Sequence, residues 1–276
     1  MPLPSYLLRL QGRDGASITV SPHGGHLCSW RGTDGSERLF MSERTRWDQR
    51  SALRGGVPII FPQFADFGVL PKHGFARLLP WTVRSSHCDI DGIGVMRLTL
   101  GDSAATAALA GQFLLELTLR FCDQSLQIGL QIHNTGDSTF GFSAALHTYL
   151  RTEVAHSAVS GLQSRSYRDS ADGGRMMAGA AGQLIIAGEI DRIYCDLPTP
   201  LMLVAPQRRV EVSQRGFTDV VVWNPWREKA AALTDLAEHE YMQFVCIEAA
   251  LVAHPATLQP GQCWTGMQQL QVLAPA

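Results

Sequence analysis

The sequence is short of charge. Asp, Glu, Lys and Arg make up 17% of its 276 residues, and the formal net charge is −2. The basic residues are scattered, so no surface tracks a phosphate backbone, and a nucleic-acid partner is excluded. Lys72-His73-Gly74-Phe75-Ala76 superficially matches an RNA-binding strand motif, but Pro71, Pro80 and the lack of a second aromatic motif break the match. No apolar run approaches the ~20 residues that a membrane-spanning helix requires, since even Val220-Val221-Val222-Trp223 stops at Asn224-Pro225. The six cysteines (Cys28, Cys88, Cys122, Cys195, Cys246, Cys263) form no C-x-x-C pair, and Met1-Pro2-Leu3-Pro4 opens no secretory signal. They read as free thiols in a reducing cytosol, and a cytoplasmic protein without a membrane partner is the expectation. A Pro/Ser-rich linker is also missing. Residues 1–276 are therefore expected to form a single domain, and a 45% hydrophobic content gives it a core that needs no metal or disulfide.

What is present is alternation. Phe113, Leu115, Leu117, Leu119 and Phe121 share one face, and Leu126, Ile128, Leu130 and Ile132 repeat the pattern after Asp123-Gln124, which predicts a β-hairpin. Shorter runs at Ile18–Val20, Val95–Leu100, Phe140–Leu150, Leu201–Val204, Val210–Val212, Phe217–Trp223 and Gln243–Ile247 are separated by Gly, Pro, Asp and Ser. Helical spacing is scarce, the best case being Arg227–Leu236, and the Ala/Gly-rich stretches Ala104–Gly111 and Ala178–Gly182 read as loops. The fold class is all-β: a mostly antiparallel, many-stranded sandwich with few short helices.

The chemistry concentrates in a few places. Leu53–Phe64 and Gly68–Arg77 are rich in Pro and Gly, as suits loops whose backbone approaches a ligand, and they carry Arg54, Gln63, Lys72, His73 and Arg77. In Phe140–Arg151, small residues at Gly141, Ser143 and Ala145 share a face with His147 and Tyr149, so the imidazole projects into open space; taken alone it could equally be a hydrogen-bonded core histidine. Glu248 alternates with Met242, Phe244, Cys246 and Ala250, which places a carboxylate on an apolar face. A buried ion pair and a general base with a raised pKa fit that pattern equally well. Asp191 can be an edge charge, and Asp219 can start a strand by binding backbone amides. His23 and His26 near Cys28 lack further spaced partners for zinc, and no metal is expected.

Six ordered motifs spanning nearly the whole chain resemble the aldose 1-epimerase superfamily, and within it the glucose-6-phosphate 1-epimerase branch. They are Arg54-Gly55-Gly56-Val57-Pro58 with Phe61-Pro62-Gln63-Phe64, His73-Gly74-Phe75-Ala76-Arg77, Leu146-His147-Thr148-Tyr149, Glu189-Ile190-Asp191-Arg192-Ile193-Tyr194, Val222-Trp223-Asn224-Pro225-Trp226 and Cys246-Ile247-Glu248-Ala249. The resemblance implies a galactose mutarotase-like β-supersandwich with a sugar cleft, His147 as catalytic acid and Glu248 as base. His73 and Asp191 become substrate ligands, Arg54 and Arg77 hold a 6-phosphate, and Gln63 and Asp219 join the substrate-binding set. One departure is Ala249-Ala250, where a glycine is expected after Glu-Ala.

In the implied mechanism Glu248 takes the O1 proton while protonated His147 donates to the ring oxygen. The open-chain aldehyde turns about C1–C2 and recloses, which uses no cofactor. The expected partner is a small sugar or sugar phosphate, and the expected state a monomer or weak homodimer. Competing expectations are a mutarotase for free aldoses and a non-catalytic carbohydrate-binding or regulatory sandwich, which would not need the acid–base pair. A glycosidase ranks lowest, because it normally requires two carboxylates.

Overall fold

Alternation turns directly into pairing. In the computed structural model, which describes residues 4–109, 111–197 and 200–274, strand Phe113–Phe121 pairs antiparallel with Ser125–Asn134, from Phe113 opposite Asn134 to Phe121 opposite Leu126. The apolar residues of the expected hairpin are all essentially inaccessible, because a period of two sends every one of them to the same face. This hairpin lies within a nine-stranded sheet with the order Leu184–Ile185, Ala158–Ser160, Leu201–Ala205, Arg208–Arg215, Cys263–Leu273, Ser125–Asn134, Phe113–Phe121, Gly94–Gly101 and Thr82–Cys88.

A second sheet runs Arg175–Met177, Tyr167–Asp169, Ile190–Tyr194, Asp219–Asn224, Phe244–Leu258, Phe140–Leu146 and Ile59–Ile60, with Tyr149–Arg151 also pairing with Phe244–Leu258. Leu8–Gln11, Ser17–Ser21 and His26–Arg31 form a small third sheet. One apolar core joins them, with Leu117, Ile128 and Leu270 from the nine-stranded sheet, Leu146, Val222 and Ile247 from the eight-stranded sheet, and Trp30 from the small one. The expected mostly antiparallel sandwich is what forms.

The helix is shorter than expected. It spans Trp226–Ala232, and at Leu233 the backbone turns extended while its N–H bonds back to Ala230. Within the expected loop Ala104–Gly111, Ala104–Thr106 closes a 3-10 turn through a Ser103–Thr106 capping box, and Ala110 lies outside the described residues. Among the described residues no helix is long and apolar enough to cross a membrane.

The eight-stranded sheet has two unlike faces. Phe140, Phe142, Ala144, Leu146, Val220, Val222, Ile247 and Ala249 point into the core. The opposite face carries two smaller apolar clusters, one with Ala145, Ile193, Val221 and Ala250 under Ile60 and Phe64, the other with Tyr149, Phe244 and Cys246 under Phe40, Leu236 and Tyr241. Every candidate carboxylate and imidazole of the strands lies on this second face.

Candidate active site

Strand register brings the two central side chains together. Leu146 pairs with Ala249 and Tyr149 with Cys246, so the unbroken register puts His147 opposite Glu248, where same-face side chains meet. Their separation, Nδ1 to Oε1, is 3.3 Å. The ladder to the long strand is interrupted here because the Thr148 N–H turns back to the Leu146 carbonyl at 2.9 Å, while on the other edge of the strand the Pro58 carbonyl accepts the His147 N–H at 3.1 Å. Thr148 turns inward, and its hydroxyl donates to Gln268 of the other sheet.

Glu248 is 1% exposed and His147 8%. Burial first, then the negative charge of Asp191, raises the Glu248 carboxyl well above its ordinary range. Burial first, then His73, Arg54 and Arg77, holds the His147 imidazole well below its own. The distance would suit an ion pair, while burial favours the neutral form of each group. Neither Nδ1 of His147 nor Oε2 of Glu248 has a hydrogen-bond partner.

Aromatic rings fix the imidazole. Tyr149 lies parallel to it, with centroids 4.9 Å apart and planes at 12°, and Trp223 meets it edge-on at 5.7 Å. The Tyr149 hydroxyl accepts from Nη1 of Arg54 at 3.0 Å, and Nη2 of Arg54 lies 3.2 Å from Asp235. Burial opposes the Arg54 charge, but Tyr149 and Asp235 outweigh it and raise the guanidinium pKa. Arg54 reaches this place from a tight corner: Gly55 and Gly56 have φ of 111° and 57°, and a Cβ on either would collide with the carbonyls of Phe40 or Leu27. His26 and His23 bond through Nε2 to the carbonyls of Gly55 and Ser51, each at 2.9 Å. They shape this corner rather than a zinc site.

Loop residues close the other side. His73 has φ of 65°, its Nδ1 accepts from the Ala65 amide at 3.2 Å, and its ring stands edge-on to His147 at 5.9 Å. Burial first, with Arg77, Lys72 and Arg54 adding, pushes its pKa down to about 3, so the ring is neutral with the proton on Nε2. Arg77 donates to the Lys72 carbonyl at 2.8 Å, its Nε is buried without a partner, and no carboxylate among the described residues pairs with it. Burial, with Arg54 adding, lowers its pKa against the pull of Tyr149 and Asp235. Asp191 stands opposite Trp223 on the same face, 3.9 Å from Lys229, and burial raises its pKa in spite of Lys229 and Lys72.

Two expected ligands have their polar atoms engaged by the chain itself. Asp219 is 0% exposed, and its carboxylate accepts from Val252 and Ala253 at 2.8 and 2.7 Å and from Asp196 at 3.2 Å. It thereby pins the strand irregularity between Leu251 and Ala256. Gln63 gives its amide hydrogens to Ala65 and Leu70 and accepts from Leu70, so its polar atoms tie the 63–70 loop to itself. The pattern had not singled out Trp223, Asp235 or Lys229. Trp223 and Lys229 carried only motif or helix positions, and Asp235 lies in irregular chain where no periodicity marks a face.

His147, Cys246 and Glu248 offer ligand atoms that all lie within 4.8 Å of one another, the one such group that could hold a metal among the described residues. A cavity of about 630 Å³ lies elsewhere, beside the helix and lined by Arg227, Leu233, Thr234 and His239, and touches neither His147 nor Glu248.

A family model for aldose 1-epimerase matches residues 6–271. The chain belongs to the aldose 1-epimerase family. It is therefore of the isomerase type, and similar proteins carry the name "Putative glucose-6-phosphate 1-epimerase". The one from Escherichia coli K12 is 31% identical over 233 residues, 82% of this chain and 77% of that protein. The one from Cenchrus ciliaris is 29% identical over 268 residues, 93% and 82% of the two chains. A solved Salmonella typhimurium protein, described as a "putative mutarotase", superposes with a TM-score of 0.87 at 26% identity over 99% of this chain and 95% of that one. The fold extends to galactose 1-epimerase of Lactobacillus acidophilus NCFM, with a TM-score of 0.73 at 15% identity, covering 98% of this chain and 95% of that one. The expected galactose mutarotase-like sandwich is thus the architecture of this family member.

Proposed function

We propose that this aldose 1-epimerase family member interconverts the α and β anomers of a hexose 6-phosphate, with glucose 6-phosphate the leading candidate, through His147 and Glu248. The observation that carries this reading is the 3.3 Å juxtaposition of an imidazole and a buried carboxyl on the open face of the sheet. Ring opening needs one group to take the O1 proton and one to give a proton to the ring oxygen. Glu248 is the base and His147 the acid. The proton that burial leaves on Glu248 passes across the short gap to His147, which readies both groups at once. Reclosure after rotation about C1–C2 reverses each transfer and restores the pair, so protons balance over the cycle.

The phosphate half of the proposal rests on Arg77. A partly buried guanidinium with no carboxylate at ion-pair distance, beside Arg54 and sharing only the more distant Asp235 with it, carries positive charge that a phosphate dianion would balance. A dianion there also offsets the two positive charges that disfavour a proton on His147. His73, through Nε2–H, and Asp191 are placed to hydrogen-bond sugar hydroxyls. Because both anomers must be held, the grip belongs on groups remote from C1.

The test is NMR exchange spectroscopy or polarimetry on freshly dissolved α-glucose 6-phosphate and α-glucose, with and without protein. Faster exchange of the phosphate ester is the expected result, and rates unchanged by protein for both sugars would overturn the proposal.

A further inference from the structure

Cys246 takes no part in the anomer exchange proposed above, yet it sits within reach of both proton-transfer groups. It precedes Glu248 by two residues on the same strand face, as the i and i+2 positions of a strand must, and pairs across the ladder with Tyr149. Its thiol is fully buried against Tyr149, Trp223 and Phe244. Two further donors converge on it, since Nδ1 of His147 and Oε2 of Glu248 are buried and have no hydrogen-bond partner.

We propose that His147, Cys246 and Glu248 form an inhibitory binding site for a soft divalent cation of the zinc class, overlapping the active site. The donor set selects the ion: a thiolate and an imidazole favour zinc, cadmium or cobalt over magnesium or calcium, which require oxygen cages. Charge balance supports the same class. A thiolate and a carboxylate neutralise a dication, so the complex is neutral overall, which matters in a buried place already facing Arg54 and Arg77. On binding, the Cys246 S–H bond breaks, its proton and that of Glu248 leave to solvent, and no electron is transferred. Metal–ligand bonds of about 2.0–2.3 Å put tetrahedral donors about 3.3–3.8 Å apart, so a trio within 4.8 Å must draw in by roughly an ångström. Side-chain torsions of Glu248 and Cys246 supply that movement towards the ring-fixed imidazole, and water takes the fourth position.

The consequence is inhibition, because the ion occupies the lone pairs that the reaction uses. The site itself depends only on the three side chains, whereas the inhibition rests on the epimerase reading, so the two are measured separately. Cobalt(II) alone is titrated into the full-length protein in a Cys263→Ser background, because Cys263 lies 3.8 Å from His133 and offers a competing surface thiol. A thiolate-to-cobalt charge-transfer band with strong tetrahedral d–d absorption, saturating at one ion per chain and displaced by zinc, is the expected result. It disappears in both Cys246→Ser and Cys246→Ala. In parallel, zinc suppresses anomer exchange and a chelator restores it, and either Cys246 variant, compared with its own zinc-free rate, loses zinc sensitivity by roughly tenfold or more. Absence of the band in the Cys263→Ser protein, or its survival in both Cys246 variants, overturns the site. A band in a protein that exchanges no sugar anomers would leave the metal site standing and remove the proposed function.

Discussion

Nδ1 of His147 lies 3.3 Å from Oε1 of Glu248, and strand register alone brings them there. The pair is flanked by one ladder segment on each side, Leu146 opposite Ala249 and Tyr149 opposite Cys246, so conservative substitution leaves its surroundings intact. Glu248→Gln keeps the shape but cannot accept a proton. Anomer exchange is expected to fall by about 10²–10⁴-fold with an unchanged circular dichroism spectrum. His147→Asn is expected to lower kcat with little change in KM, since protonation of the ring oxygen is a transition-state interaction. Exchange near the wild-type rate in Glu248→Gln would remove it as the base.

Asp219 accepts three backbone N–H bonds while fully buried. Asp219→Asn is expected to destabilise the fold by about 1.5–3 kcal/mol, the usual worth of a charge-assisted hydrogen bond, with kcat/KM unchanged for the folded fraction. Urea unfolding measures the first and steady-state kinetics below the transition the second. A lowered kcat/KM at wild-type stability would return Asp219 to the substrate-binding set.

These two carboxylates show where a sequence stops speaking. Alternation placed Glu248 on an apolar face of its strand, and Asp219 was read as a strand-starting residue that could bind backbone amides; both fit the structure, as does the hairpin from Phe113 to Asn134. Alternation does not say what stands above a face. The amides that Asp219 binds belong to Val252 and Ala253 at an irregularity of a neighbouring strand, a partner no local pattern encodes, and Gln63 meets its own loop. Strand Thr82–Cys88 escaped notice because its sequence, TVRSSHC, lies at a sheet edge and is largely exposed, so it needs no apolar stripe. Strand Phe244–Leu258 runs past the expected Ile247 through His254-Pro255, the kind of interruption that reads as a turn. Asp235 was invisible because its partner, Arg54, is remote in sequence and no secondary-structure period connects them.

Stability should also depend on His26. Burial first, with His23 and Arg77 adding against the bond to Gly55, pushes its pKa down to about 3 from 6.5. Below pH 6.5 the unfolded chain binds a proton there that the folded chain refuses. The contribution of a neutral His26 to stability is therefore complete above pH 6.5 and is lost as pH falls towards 3. His26→Gln keeps a donor for the Gly55 carbonyl and removes the titration. Between pH 6 and 4 the variant's unfolding free energy should fall less steeply than that of the wild type, by about 1.4 kcal/mol per pH unit for one proton. Parallel slopes would mean that His26 is protonated in the folded protein.

The two arginines should separate phosphate from sugar, and the structure says how. Arg77 lacks a carboxylate partner and touches the fold through one bond to the Lys72 carbonyl. Arg54 is held by Asp235 and by Tyr149, whose ring lies against His147. Removing Arg77 should therefore cost the phosphate contact and little else. A charged hydrogen bond contributes about 1.5–3 kcal/mol, so Arg77→Ala is expected to lower kcat/KM for the 6-phosphate by at least about tenfold while leaving free sugar within a few-fold. Arg54→Ala should harm both substrates, because the Tyr149 hydroxyl loses its donor and the ring that holds His147 is freed. Its loss on free sugar should appear in kcat, while the additional loss on the phosphate ester should appear in KM. Arg77→Lys, which keeps the charge but not the paired geometry, is expected to recover part of the phosphate preference. If Arg77→Ala lowers kcat/KM equally for phosphorylated and free sugar, its guanidinium binds no phosphate, and a free aldose becomes the better substrate assignment for this site.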